Sequence, residues 1–401
     1  MNDFQVVVVG AGAAGLFCAA QAGQRGLRVL LIDHAEKVGE KIRISGGGRC
    51  NFTNIDAGPA NFLSSNRDFC RSALARYGAA DFIALVKRHG IGFHEKHRGQ
   101  LFCDDSAEQI IRMLLDECAA GQVTRWQPCP VTEVRHTDLG FEVDTARGPV
   151  CARHLVVATG GLSIPKIGAT DFGYRLARQF GHKIIEPRPA LVPLTFSADT
   201  WAPFVPLAGA SLEVAIAAGQ GRQRGHFVED LLFTHRGLSG PAVLQASSYW
   251  RPGEPLTIDL GAGRDIAAML REAKASSKRQ LSTVLSQCLP QRLAEAWLAL
   301  QQLPAQRPLQ ELRDRDLEQL ARSLSQWTIH PDGTEGFRKA EVTIGGVDTR
   351  ELDSRSLQSR RQAGLHFIGE VVDVTGWLGG YNFQWAWSSA VACAEAMAAA
   401  P

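Results

Sequence analysis

Gly10, Gly12 and Gly15 stand in the run Gly10-Ala11-Gly12-Ala13-Ala14-Gly15, directly after the apolar stretch Val6-Val7-Val8-Val9. This is a G-x-G-x-x-G spacing between a predicted strand and a predicted helix. In that setting the first glycine permits a tight turn, the second lets backbone approach a pyrophosphate, and the third lets the helix pack close to the sheet. The helix N-terminus, with Ala13 and Ala14 in its first turn, turns N–H groups and a partial positive charge toward the phosphates. Asp33, eighteen residues past Gly15, ends the next apolar run Val29-Leu30-Leu31-Ile32. There its carboxylate is placed to accept hydrogen bonds from a ribose diol. Together these residues predict a dinucleotide site.

A nicotinamide dinucleotide completes its site within the first half of a chain, whereas FAD needs further contacts under its ribityl chain and flavin ring. Three later segments suit that need. Ser45-Gly46-Gly47-Gly48-Arg49-Cys50-Asn51, with Lys41 just ahead, offers backbone donors and cations for a pyrophosphate. Val157-Ala158-Thr159-Gly160-Gly161 reads as a strand ending in a glycine turn, where a cofactor can cross the sheet edge. Ile368-Gly369-Glu370 ends another strand, and Gly379-Gly380-Tyr381-Asn382 precedes the last predicted helix. The N-terminus of that helix would stabilise negative charge at the N1/C2=O edge of a reduced flavin. Val131, at the start of a further strand-like run, completes the expected cofactor contacts. Jointly the segments predict FAD, and no metal-ligand spacing accompanies them.

A flavin carries the reactive atoms itself, so the protein mainly positions a substrate against N5 and tunes the ring. His235, in the glycine-rich run Thr234-His235-Arg236-Gly237, is the acid–base candidate. The alternative is a histidine that holds its loop by hydrogen bonds. Ser239 is read either as a substrate-orienting hydroxyl or as a turn residue. Cys50 reads better as small-residue packing than as a redox thiol, because no second cysteine stands beside it. Tyr381 and Trp377 either face the flavin or fill the core, and Trp385 and Trp387 are expected to pack the last helix on the sheet.

The elements that must hold these residues follow from length and pattern. The chain has 401 residues, 45% apolar and 21% charged, enough for two or three domains with a large core. Lys and Arg number 43 against 41 Asp and Glu, so no basic excess points to nucleic acid or an acidic membrane. Nine scattered cysteines without a C-x-x-C pair fit neither a disulfide framework nor a zinc cluster. The uncharged stretch Val6–Ala20 has only Asp3 as a charge ahead of it and no Lys or Arg before Arg25, which argues against a secretory signal. A cytoplasmic protein acting on a small molecule, with no membrane or nucleic-acid partner, is the expectation.

Along the chain, residues 5–33 predict strand, turn, helix to about Arg25, and strand. Residues 66–120 read mainly as helical, with Leu74, Phe82, Leu85 and Val86 as apolar positions and a capping box at Ser106–Gln109 opening a helix through Ile110, Ile111, Leu114 and Leu115. Residues 131–158 read as a β-meander turning at Gly140 and Gly148. Short strand-like runs between 190 and 270 predict an inserted β domain, perceived as a small barrel, and 276–327 switch to helical spacing. A final helix is predicted from about Phe383 to Ala400. The predicted class is α/β: a Rossmann-like FAD-binding domain (1–190 with 337–401), an inserted barrel-like β domain (191–275 with 328–336) and a small helical bundle (276–327).

Three long strings resemble the YhiN/BaiN-like flavoproteins. They are Lys41-Ile42-Arg43-Ile44-Ser45-Gly46-Gly47-Gly48-Arg49-Cys50-Asn51-Phe52-Thr53-Asn54, Phe233 to Pro241, and Gly369 to Asn382. The resemblance runs from the first strand to the last helix. It implies FAD bound by a domain built from both chain ends, with the His235 loop closing over the flavin. The implied activity is NAD(P)/FAD-dependent oxidoreduction, like bile-acid C=C reductases or aminoacetone oxidases. The leading expectation is hydride transfer from NAD(P)H through flavin N5 to an activated C=C. A peroxide-forming amine oxidase, an RNA-associated flavoprotein and a flavin sensor are the alternatives.

Overall fold

The computed structural model describes residues 4–221 and 224–400. They divide into two compact units, one made of the chain up to Arg188 together with Val342 onward, the other of Pro189–Glu341. The first is therefore assembled from both ends of the polypeptide.

At its centre lies a parallel sheet of five strands, in the order Leu365–Phe367, His154–Val157, Val6–Val9, Val29–Ile32 and Thr124–Trp126. Val6 lies opposite both Val29 and His154, so the valine strand is central. All four of its residues are buried. A strand covered on both faces has no place for a polar side chain, which is why the run does not alternate. Leu365 pairs with Leu155, so the tail supplies one edge of the sheet that the first strand begins.

The helix Ala13–Gln24 packs along the terminal helix Tyr381–Ala399. Both bury small residues, Ala14, Gly15, Cys18 and Ala22 on one and Ala390, Cys393 and Ala394 on the other. Small residues let two helix backbones approach closely. Trp385 and Trp387 anchor the terminal helix: both are buried, their indole N–H groups donate to the carbonyls of Gly369 (3.0 Å) and Phe52 (2.8 Å), and Trp387 stacks on Phe82 at 4.3 Å.

The meander consists of Val131–Thr137, Gly140–Thr145 and Gly148–Ala152, paired antiparallel. Its turns fall at Gly140 (φ 112°) and Gly148 (φ 104°), a conformation that favours glycine. Between residues 66 and 120 the structure departs from the mainly helical expectation. Helices Arg71–Arg76, Ala79–Arg88 and Glu108–Ala120 are interrupted by an antiparallel hairpin, Phe93–Glu95 with Gln100–Cys103. Five consecutive polar or charged residues, His94 to Arg98, form its end and leave no apolar alternation to read. The last of the three helices starts at Glu108; the Ser106 hydroxyl accepts from Glu108 N (3.2 Å) and the Gln109 side chain accepts from Ser106 N (3.5 Å).

The second unit holds one antiparallel sheet, ordered Trp327–Ile329, Leu256–Asp259, Ser211–Ala218, Gly225–Phe233, Gly237–Ser239, Leu194–Thr195 and Gly333–Thr334. Phe196, Trp201, Phe204, Phe233, Trp297 and Trp327 form an aromatic cluster in it. Its helices begin ten residues earlier than the periodicity suggests, at Ile266, because Asp265 caps the first of them by accepting from Ala268 N (2.8 Å). Among the described residues no helix is long and apolar enough to cross a membrane.

Candidate functional site

The glycine turn joins the first strand to its helix. Gly10 has φ 108°, and its N–H donates to the Ile32 carbonyl at 2.8 Å. A Cβ on Gly10 would lie 2.5 Å from the Ala158 carbonyl oxygen, and one on Gly15 only 1.8 Å from the Gly10 oxygen. Gly12 differs, since a Cβ there would meet nothing within 4 Å. Two glycines are therefore closed by protein packing and the middle one faces open space. The Asp33 carboxylate accepts from Ala11 N (2.5 Å) and Ala35 N (2.7 Å), which fixes it beside this turn. Cys129 N donates to the Asp33 carbonyl (2.7 Å), and this brings the strand beginning at Val131 to the same end of the sheet.

The second glycine loop follows the short helix Glu40–Ile44. Gly46, Gly47 and Gly48 have φ of 58°, 67° and 87°, and Cys50 follows at 51°. A Cβ on Gly46 would strike the Phe102 ring at 2.8 Å, whereas Gly47 and Gly48 face nothing within 4 Å. Arg49 is exposed beside them. Cys50 is fully buried and burial pushes its thiol far above the usual range, which fits small-residue packing.

The third segment, Ala158-Thr159-Gly160, leaves the sheet where Ala158 N donates to the Val9 carbonyl (2.9 Å). Gly160 has φ 72° and open space at its Cβ position. The Thr159 hydroxyl is buried and has no hydrogen-bond partner among the described residues.

The tail closes the arrangement. Gly369 has φ 69°, and a Cβ there would lie 2.8 Å from the Cβ of Ala14 on the glycine-turn helix. Its N–H donates to Ser389 Oγ (3.0 Å) and its carbonyl accepts from Trp385, so the terminal helix holds it from both sides. Glu370 pairs with Lys41 Nζ, accepts from Ser163 Oγ (3.2 Å) and from Thr343 N (2.8 Å), while Lys41 Nζ also donates to Ser163 Oγ (2.7 Å). Thr343 Oγ1 in turn accepts from Leu162 N (2.8 Å). Sequence reasoning found Lys41 and Glu370 but missed Ser163 and Thr343. Ser163 stood three residues beyond Gly160, whereas nothing local marks Thr343.

Gly380, at φ 94°, caps the terminal helix, and a Cβ there would fall 2.4 Å from the Thr53 backbone. The Asn51 amide, oriented to satisfy both its ends, accepts from Gly380 N (3.2 Å) and donates to the Leu101 carbonyl (3.1 Å). Asn382 accepts from Gly376 N (2.8 Å) and donates to the Gly376 carbonyl (2.9 Å), tying down the turn. Tyr381 is buried and packs edge-on against Phe62 (6.3 Å) and Trp377 (6.2 Å). His235 belongs to the other unit. It is exposed on the turn between Gly225–Phe233 and Gly237–Ser239, whose geometry is held by Thr234 Oγ1 accepting from Arg236 N (3.3 Å) and Gly237 N (3.1 Å). Thr234 thus does the loop-holding that was one reading of His235.

The first unit thus presents three open glycine surfaces, at Gly12, Gly47–Gly48 and Gly160, with cations, an orphaned hydroxyl and an N-terminal helix end. Those features fit FAD: the two glycine loops would turn N–H groups to its pyrophosphate, and Asp33, beside the first of them, would take the ribose. A Rossmann-like sheet carrying such a site defines an FAD-dependent oxidoreductase. The family follows from comparison: residues 4–396 match the HI0933-like protein Rossmann domain, and the chain belongs to that family, which embraces the YhiN/BaiN-like proteins. It is 52% identical over 401 residues, 100% of this chain and 99% of the other, to the ribosomal RNA dihydrouridine synthase of Escherichia coli K12. It is 48% identical over 97% of both chains to the enzyme of the same name from Haemophilus influenzae. A more distant relative, 29% identical over 99% of this chain and 100% of the other, is the 3-dehydro-bile acid delta(4,6)-reductase of Clostridium scindens.

Proposed function

We propose that this flavoprotein reduces the C5=C6 bond of uridine in ribosomal RNA, with NAD(P)H as electron donor. The observation that carries the reading is the 52% identity to a ribosomal RNA dihydrouridine synthase across essentially the full length of both chains. The chemistry agrees with the C=C reduction expected from the sequence. Dihydrouridine is uridine with that bond saturated, and the bond is activated by the C4 carbonyl. The distant bile-acid relative is named for reducing C=C bonds too. The reading replaces the small-molecule substrate, and the absence of nucleic acid, that the balanced composition suggested.

FAD bound there and first reduced by NAD(P)H would supply the hydride chemistry, with C6 of the uracil ring as the hydride acceptor and C5 taking a proton. This chain's residues do the rest. The Gly12, Gly47 and Gly48 surfaces take the pyrophosphate, Asp33 the adenosine ribose, and Lys41 is held by Glu370 and Ser163 at the third loop. Val131, Ala158, Thr159, Gly369, Gly380, Tyr381 and Asn382 shape the remaining cofactor surface. His235 is the proposed proton donor to C5. A His235→Gln variant should keep its flavin and lose about 10²- to 10⁴-fold in kcat. An unchanged kcat would return His235 to the surface. The function itself is tested by incubating the flavin-loaded protein with an unmodified ribosomal RNA transcript and NADPH or NADH, then analysing nucleosides by mass spectrometry. A uridine two mass units heavier is expected. Unaltered uridine, with NAD(P)H consumed only to make peroxide, would reject it.

A further inference from the structure

FAD carries the same pyrophosphate charge in both of its oxidation states, and only its ring gains electrons. A cation beside the phosphates therefore grips both states alike, whereas a cation beside the ring favours the reduced one. The position of Lys41 decides which kind it is. Its helix, Glu40–Ile44, starts beside the glycine turn, where Gly39 N donates to the Ala11 carbonyl (3.0 Å). Its Nζ reaches away from that turn, pairing with Glu370 and donating to Ser163 Oγ (2.7 Å). Ser163 follows the strand His154–Val157, and Glu370 follows the edge strand Leu365–Phe367. In the sheet both strands lie on the far side of Val6–Val9 from the strand that leads to Asp33. The edge strand is three strand spacings from the one before Asp33, about 14 Å. A dinucleotide laid across the strand ends, with its adenosine ribose at Asp33 and its pyrophosphate at the glycine turn, would reach Ser163 and Glu370 with its flavin end.

The pair is also oriented. Glu370 Oε1 accepts from Thr343 N (2.8 Å) and Ser163 Oγ (3.2 Å), and Oε2 faces Lys41. A Cβ on Gly161 would lie 2.8 Å from Glu370 Oε1, so protein backs the carboxylate, while Gly160 has open space at its Cβ position. The Glu370 side chain is 17% exposed and that of Lys41 33%, which makes the ammonium the outer member. Arg49 differs, because it is exposed beside the open Gly47 and Gly48. We infer that Lys41 faces the flavin ring and raises the reduction potential of bound FAD, with Glu370, Ser163 and Thr343 as its positioning residues; the inference rests on the cofactor placement proposed above. It moves Lys41 from the pyrophosphate, where its place just ahead of the second glycine loop put it, to the end of the cofactor that accepts electrons.

The test compares the flavin-loaded unaltered protein with Lys41→Met, Lys41→Arg and Arg49→Gln variants. Anaerobic reduction alongside a redox dye gives the midpoint potential of each without any substrate. In Lys41→Met, reduced FAD should lose about 10-fold more affinity than oxidised FAD, which lowers the potential by about 30 mV for a two-electron couple. Lys41→Arg keeps the charge and should restore the potential of the unaltered protein. Arg49→Gln should weaken both oxidation states equally and leave the potential where it was. If Lys41→Met loses its flavin on purification, calorimetric titration of the flavin-free protein with oxidised and with dithionite-reduced FAD reads the same ratio. An equal loss of affinity for both states in Lys41→Met, with the potential unchanged, would return Lys41 to the pyrophosphate and overturn the inference while FAD binding stands. An unaltered protein that takes up no FAD would overturn the cofactor placement itself, and the role of Lys41 with it.

Discussion

The glycine turn at 10–15 and the glycine loop at 46–48 use the same residue for opposite ends. In the turn, Gly10 and Gly15 are glycines because neighbouring backbone occupies the place of a side chain. In the loop, Gly47 and Gly48 are glycines because their φ is positive, while the space beside them is empty. Gly12 sits among closed glycines yet belongs with the open ones. The first kind builds the fold and the second leaves room for a ligand, the division that the G-x-G-x-x-G spacing assigns to Gly10, Gly15 and Gly12.

The contrast is sharpest under one substitution made twice. Gly15→Ala should destabilise the flavin-free protein by about 3 kcal/mol or more, a fall of roughly 6–12 °C in melting temperature, because a methyl cannot share space with the Gly10 carbonyl. Melting within a degree of the unaltered protein would show that the turn is looser than it looks.

Acid should attack the same parallel sheet away from the glycine turn, on the strands His154–Val157 and Leu365–Phe367. His366 is buried beside His154, with ring nitrogens 3.3 Å apart; burial, and for His366 the neighbouring ring, lowers their pKa values to about 3 and about 4 from 6.5. Folded rings thus stay neutral where unfolded rings take protons. Their contribution is complete above pH 6.5 and is lost as pH falls toward the folded values, at up to about 1.4 kcal/mol per pH unit for each ring. Denaturant titrations at pH 7, 6 and 5 should show this decline. Stability that is flat, or that rises, over that interval would contradict the burial of neutral histidines.

On the open side the effects are smaller and appear only with flavin. Gly12→Ala, at φ −83° and ψ −167°, is compatible with an alanine backbone, so the flavin-free melting point should hardly move while FAD affinity drops about 10-fold, or 1.4 kcal/mol. A lost fold with unchanged affinity would reverse the assignment. Glu370→Gln removes the charge that holds Lys41 but keeps the acceptors for Ser163 and Thr343. As Lys41 is about one-third exposed, FAD affinity should fall by only about 5-fold, or 1 kcal/mol. No change by isothermal titration would place Lys41 outside the cofactor surface.

Much of this was legible from residue order alone. The valine strand, the glycine turn and Asp33 are local in sequence and carry their own spacing, and the FAD-dependent class followed. The β-hairpin at 93–103 was not legible, because its strands are short and its end is charged. Thr343 was equally hidden, since its hydrogen bonds reach Leu162 and Ser163, 181 and 180 residues away. Contacts of that range exist only once the tail has joined the parallel sheet. The proposed RNA substrate was not legible either, since 43 Lys and Arg against 41 Asp and Glu give no basic excess.

The direct measurement of the central claim is a single turnover without oxygen. The flavoprotein is reduced, freed of excess reductant and mixed with unmodified ribosomal RNA, while flavin absorbance and dihydrouridine are followed together. The account predicts that the flavin reoxidises on mixing and that one dihydrouridine appears for each flavin oxidised. A flavin that stays reduced until oxygen is admitted, with no dihydrouridine formed, would contradict it.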